Sequence, residues 1–266
     1  MLRFSHVHGA RWLQAFALMS LCAMGCRGAG PERVLVFSKT SWYRHEAIPK
    51  VNAYLAKMGA EHGFAVDVTE DASVFTPENL ARYQIVVFNN TTDIGKSLDD
   101  AQKEAFVAWF RAGGGFLGLH SASVHHKTWP WYERMLGTDF NSDVERQEGI
   151  VRVDPAARDH PAVRGFGPEL RIGEEWMNYE SSPRGVPGTT VLLTLDESSI
   201  DTTVKVYFQD KGGRPMGGDH PISWLRRFEG GRAFYTNFGH DERALETDFG
   251  RAHILGGLRW AAGEGP

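Results

Sequence analysis

Apolar positions in the first half of the chain form short continuous runs separated by stretches of helical period. Arg33-Val34-Leu35-Val36-Phe37-Ser38 is nearly all apolar, as a strand buried on both faces requires. Glu46 to His62 places Ile48, Val51, Tyr54, Leu55 and Met58 at helical spacing, and Gly59 and Gly63 mark its end. Phe64-Ala65-Val66-Asp67-Val68-Thr69 predicts a second strand. Thr76-Pro77-Glu78 is a helix start with proline just inside, opening a short helix within Asp71 to Tyr83. Gln84-Ile85-Val86-Val87-Phe88-Asn89 is a third strand. Leu98 to Ala112 predicts a helix with Asp99 and Asp100 in its first turn, Phe106, Val107 and Phe110 on one face, and Gly113 as C-cap. Three glycines, Gly113 to Gly115, then lead into Phe116-Leu117-Gly118-Leu119, a fourth strand that ends at His120 on a turn of small residues.

These strand–helix repeats argue a parallel sheet with right-handed crossovers in a three-layer α/β fold. Trp129 to Leu136 predicts one more short helix, and beyond Gly137 the pattern changes. Ile150-Val151-Arg152-Val153, Thr190 to Leu195 and Thr203 to Tyr207 alternate. Ile222 to Phe228 and Arg232 to Thr236 flank Glu229-Gly230-Gly231 and read as a hairpin. These strands are antiparallel or edge additions to the parallel sheet. A last helix runs from Glu246 to Ala262 and ends in Gly263. No repeat or long linker divides residues 33–263, which read as a single domain.

The N-terminus has a different character. Arg3 and Arg11 precede an apolar run, Trp12 to Ala23, too short to span a bilayer comfortably. It closes on Ala23-Met24-Gly25-Cys26, which resembles a bacterial lipoprotein cleavage box. Residues 1–26 are therefore expected to be a signal peptide with Cys26 the lipidated residue, and 27–32 a tether. An ordinary secretory signal cut nearby is the alternative. The expected location is the periplasm or cell envelope, on a membrane lipid anchor. The only cysteines are Cys22 and Cys26, so the domain itself has no disulfide, thiolate ligand or cysteine nucleophile. A net charge of −4 provides no basic footprint, so nucleic acid is not an expected partner.

Polar groups recur where strands end. In a parallel sheet all carboxyl ends share one edge, so His45, after the first strand, and His120, after the fourth, should converge. Arg44 precedes His45; Glu174 and Glu175 stand beside Trp176; His220 and His240 flank the hairpin. His125 and His126 read as solvated loop residues, and Glu174 as a surface charge. Two chemistries are open to such a set. Imidazoles and a carboxylate can hold a divalent cation such as zinc, or act directly as acid and base.

Several stretches resemble the ThuA-like (trehalose utilisation) family: Gly114 to His120, Glu174-Glu175-Trp176, Pro221-Ile222-Ser223-Trp224, Gly230 to His240, and Trp260-Ala261-Ala262-Gly263. The resemblance spans about residues 33–263. It implies a flavodoxin-like fold of the class I glutamine amidotransferase-like superfamily. True amidotransferases carry a nucleophilic cysteine at the elbow after this strand; here the matching residue is His120. Without a thiol no thioester forms, which excludes glutaminase activity. His240-Asp241-Glu242 echoes the late His-x-Glu of the amidotransferase triad, and Glu174-Glu175 stands where the family usually shows Asp-Glu. The family name implies carbohydrate metabolism, in particular disaccharides handled through keto-sugars. The expected protein is a hydrolase or isomerase with His120 and His240 as bases and Glu175 as acid or metal ligand. Trp42, Tyr43, Trp129 and Trp176 would stack on a sugar ring, with Arg44, His45 and His220 also touching it. A non-catalytic sugar-binding or surface interaction lipoprotein is the alternative.

Overall fold

The computed structural model describes residues 32–203 and 213–265. The expected leader with Cys26, the tether up to residue 31 and the strand expected from Val204 to Tyr207 lie outside them. Four parallel strands, β1 (Glu32–Phe37), β2 (Phe64–Thr69), β3 (Ile85–Asn89) and β4 (Gly115–Leu119), follow the apolar runs to within a residue or two. Between them lie α1 (Ile48–His62), α2 (Pro77–Leu80), α3 (Ile94–Ser97) and α4 (Asp100–Arg111). The Asp99 side chain accepts from the Gln102 amide, and the Gln102 side chain accepts from the Asp99 amide, so a capping box starts α4. Gly63 caps α1 at φ 83°, a left-handed turn that glycine adopts without penalty. The residue at the end of α4 is Ala112, with Gly113 one position beyond at φ 103°.

After α5 (Pro130–Leu136) come β5 (Phe140–Val153), β6 (Glu169–Tyr179), β7 (Thr189–Asp196), β8 (Pro221–Phe228) and β9 (Gly231–Thr236). The nine strands form one sheet in the order β2-β1-β3-β4-β9-β8-β7-β5-β6. The hairpin β8–β9 is antiparallel, but β9 also pairs parallel with β4, which makes it a fifth strand of the parallel core as well as the start of the antiparallel half. The last helix begins later than its periodicity suggests. A short turn, α6 (Glu242–Leu245), precedes α7 (Asp248–Ala262), and Thr247 caps α7 by accepting from the Gly250 amide.

Two apolar clusters cover the faces of the sheet, which is the three-layer architecture. On one side Val34, Val36, Leu117 and Phe234 meet Val51 and Leu55 of α1 and Ile254 and Leu258 of α7. On the other an aromatic layer, Phe37, Phe88, Phe106, Phe110, Phe116 and Tyr132, packs under α4 and α5. Gly115 lets α7 settle onto β4: a methyl group there would land on the Ala261 carbonyl oxygen.

Candidate active site

Three chain segments leave the same edge of the parallel core and bring imidazoles together. His45 lies in the loop after β1 and is 7% exposed. His120 is the first residue after β4, fully buried, at φ 48°. Left-handed backbone at a non-glycine residue is unfavourable and needs its surroundings to hold it. His240 follows β9 through Gly239, whose φ is 115°. Glu175 reaches the same point from β6. One ligand atom from each of His45, His120, Glu175 and His240 lies within 4.8 Å of all the others.

The hydrogen bonds fix which atoms face inward. His120 Nδ1 is 2.9 Å from the Asn237 carbonyl oxygen, so it carries the proton and donates it. Nε2 of the neutral ring then bears a lone pair, 3.0 Å from Glu175 Oε2. His240 Nδ1 lies 2.5 Å from the same carboxylate oxygen and 3.3 Å from His120 Nε2. Two acceptors therefore face each other, and a proton or cation must sit among them. The Ser121 hydroxyl donates to Asn90 Oδ1 at 3.1 Å. It therefore accepts from His45 Nδ1 at 3.3 Å, leaving His45 Nε2 as that ring's acceptor. A histidine whose outer N–H is held by a carbonyl or hydroxyl is the usual arrangement behind a metal-ligating nitrogen.

Burial dominates the electrostatics. It pushes His45 down to about 2, with His120 and His240 adding to the effect. It also lowers His120, against the opposing pull of Glu175. Burial opposes charge on His240 too, but the hydrogen bond to Glu175 outweighs it and the pKa rises. For Glu175, burial favours the neutral acid, while the bonds to His120 and His240 hold the carboxyl well below its usual range.

Some expected residues lie elsewhere. Glu174 is not a surface charge: it is fully buried, and burial pushes it up to about 8. Its oxygens accept from the Glu175 amide at 2.9 Å and the Gly239 amide at 3.2 Å, which ties β6 to the His240 turn. His125 is buried as well, bonded to the Thr138 carbonyl; only its neighbour His126 is exposed. Trp129 and Trp176 cannot stack on a ligand. Trp129 lies against Tyr132 in the aromatic layer, and Trp176 is fully buried with its indole N–H on the Gln147 carbonyl. His220 is enclosed between Glu197 and the Met177 carbonyl, each at 2.8 Å. Arg44 points out to a two-bond pair with Glu70. Tyr43 is 55% exposed with its ring edge-on to His45 at 4.8 Å, and Trp42 borders a separate cavity.

Three further residues escape sequence reasoning. Asn237 accepts from His120 through its carbonyl oxygen and from the Met177 amide through its side chain, and donates to the Glu175 carbonyl at 2.6 Å. Asn90, at φ 54°, donates to the Gly239 carbonyl at 2.8 Å. Both stand one residue beyond a strand end, the same signal that marks His120. Asp143 on β5 is pushed up to about 8 by burial and then by Glu175, and its Oδ1 has no hydrogen-bond partner among the described residues. No sequence signal distinguishes it from its polar neighbours.

A family model described as ThuA, trehalose utilisation, matches residues 33–261. A solved structure from Bacteroides uniformis, described as ThuA-like, is 24% identical with a TM-score of 0.72, over 88% of this chain and 93% of that one. Another ThuA-like structure, from Parabacteroides merdae, is 19% identical with a TM-score of 0.65, over 88% and 90%. A Thermoplasma acidophilum protein described as part of a GMP synthase shares the fold at 11% identity and a TM-score of 0.51, over 88% and 96%. Among curated proteins, none matches the sequence significantly.

Proposed function

The chain belongs to the ThuA (trehalose utilisation) family, and from that premise we propose that it is an exported enzyme that processes a disaccharide or keto-sugar at His45, His120, Glu175 and His240, with a divalent metal such as zinc held among them. The observation that carries this reading is the pair of facing acceptors, His120 Nε2 and Glu175 Oε2, 3.0 Å apart in a buried site. Three neutral imidazoles and a carboxylate suit zinc in donor type and number. When bound, the metal supplies Lewis-acid polarisation of a sugar oxygen.

The protein's own groups do the rest. Asn237 keeps the His120 proton on Nδ1, so that ring presents only an acceptor inward. Ser121 and Asn90 do the same for His45. His240 is the most open member, with 31% of its side chain exposed, and therefore the one a substrate meets. Its Nδ1 faces the cluster beside Glu175 Oε2, which leaves Nε2 as the atom that gives or takes a proton. Glutaminase chemistry stays excluded, because the elbow carries His120 instead of a thiol.

Export rests on the leader, with Cys26 as the lipid anchor. Elemental analysis of the purified protein should find about one divalent metal per chain. A screen of disaccharides and their keto forms should find turnover that His120→Ala abolishes. Protein that takes up no metal when zinc is supplied and turns over none of the panel would sink the enzyme reading, and sugar binding without turnover would leave the binding lipoprotein in its place. Membrane release of a Cys26→Ala variant tests the anchor separately.

A further inference from the structure

We propose that the cavity bordered by Trp42, beside the His/Glu cluster, seats the second, non-reacting ring of a disaccharide; this rests on the sugar-processing reading above. The cavity has a volume of about 550 Å³ and is lined by Trp42, Asp93, Lys96, His126 and Asn141 among others. That volume lies within the range of roughly 300–1,000 Å³ for small-ligand sites.

A pyranose ring has an apolar face and a rim of hydroxyls. It needs a flat aromatic surface with directional polar groups around it. The exposed large hydrophobics of the described residues are Trp42, Tyr43 and Val68, and the first two are consecutive at this edge of the fold. Trp42 is 44% exposed and is braced edge-on by the His126 ring at 4.8 Å. The Asp93 carboxylate, 1% exposed, is fixed by Thr128 and Lys96, each at 2.6 Å, and anchors one part of the lining, to which Asn141 adds an amide. The lining carries two cations, Lys96 and Lys127, against three carboxylates, Asp93, Asp139 and Glu180, and Lys96 is committed to Asp93. The charge balance therefore favours a neutral sugar over a sugar phosphate. Asp93, His126 and Lys127 hold φ of 52°, 47° and 57°, so three non-glycine residues at one rim keep a costly backbone that only their surroundings can impose.

The cavity and the cluster share one loop. Trp42 turns to the cavity, while Tyr43 and His45 turn to the imidazoles. Its path is pinned. The Ser41 amide donates to the Thr92 carbonyl at 3.0 Å, the Thr92 hydroxyl to the Tyr43 carbonyl at 2.6 Å, and the Ser41 and Ser97 hydroxyls meet at 2.7 Å. The shared loop thus holds the two places in a fixed relation, as a ligand of two rings requires.

Calorimetric titration of trehalose, sucrose and glucose into the wild-type protein, Trp42→Ala and Trp42→Phe tests this. Trp42→Ala should weaken disaccharide binding about tenfold or more, change glucose binding by less than about twofold, and keep the melting temperature. Trp42→Phe should restore most of the loss. If Trp42→Ala binds the disaccharides like wild type while His240→Ala loses them, the second-ring site is wrong and the sugar reading stands. If wild type binds none of the three sugars, both fall.

Discussion

Glu175 is the residue on which the site's protonation turns, because two imidazoles address the same carboxylate oxygen. Replacing it by Gln keeps the shape and removes the charge. Glu175→Gln should lose most of its metal in elemental analysis and lower turnover by about 10²–10⁴-fold, the usual worth of a positioned acid–base group. The sign of the pH effect follows from His240, whose pKa Glu175 raises. Protonated His240 is lost as pH rises through that raised value, so in Glu175→Gln the loss moves to lower pH. An NMR titration of the metal-free protein reads this directly, and an unchanged His240 midpoint would refute it. His45 and His120 were legible in the sequence for a physical reason, since carboxyl ends of parallel strands share an edge; His240 was read only as flanking an antiparallel hairpin, and it reaches that edge because β9 also pairs parallel with β4. Glu175 drew attention through its aromatic neighbours Trp176 and Tyr179, while Glu174 read as a surface charge although the same strand buries both. The aromatic residues misled because composition does not separate a core tryptophan such as Trp176 from an exposed one such as Trp42.

At the scale of elements, the site edge depends on how closely α7 lies on the sheet. Gly115→Ala should destabilise the fold by about 1–3 kcal/mol, the cost of overpacking, because the new methyl group meets backbone that cannot rotate away. Denaturant melts check it, and an unchanged midpoint would show that α7 is free to shift. The same helix carries a pH-sensitive group, His253, fully buried and pushed down to about 4 by its burial. Its Nδ1 donates to the Ala162 carbonyl at 3.0 Å. The unfolded chain titrates near pH 6.5. Between those values the unfolded chain holds the extra proton, so stability present above pH 6.5 falls as pH drops toward 4, by about 3 kcal/mol. His253→Gln keeps a donor and removes the titration, so its stability should be flatter across that window. Asp139, pushed up to about 6 by burial, titrates alike in both proteins and cancels in the comparison. Elements with continuous apolar runs were readable, as β1 to β4 show. Of the long strands β5 and β6 only Ile150 to Val153 was: Asn141 to Gly149 is mostly polar, and β5 has register shifts near Phe140 and Val144 that break its alternation.

For the whole molecule, the four donors come from distant stretches: the loops after β1, β4 and β9, and the strand β6 near the far edge of the sheet. The connection from β4 to β9 passes through the entire antiparallel half, so the cluster closes only when both halves have assembled. A cation bound there ties the parallel core to β6 in the native state, and the dispersed ligands of the unfolded chain do not bind it comparably. Free metal at 100 times its dissociation constant then stabilises the fold by about 2.7 kcal/mol. For a domain of this size that corresponds to roughly 5–10 °C in melting temperature. The wild-type protein should therefore melt lower after chelation and recover on adding zinc, with the shift growing with zinc concentration. Glu175→Gln should show little of that recovery, whereas Trp42→Ala, which touches no donor, should recover in full. Chelated and zinc-loaded wild type melting at the same temperature would mean that these side chains meet to hold and move protons alone.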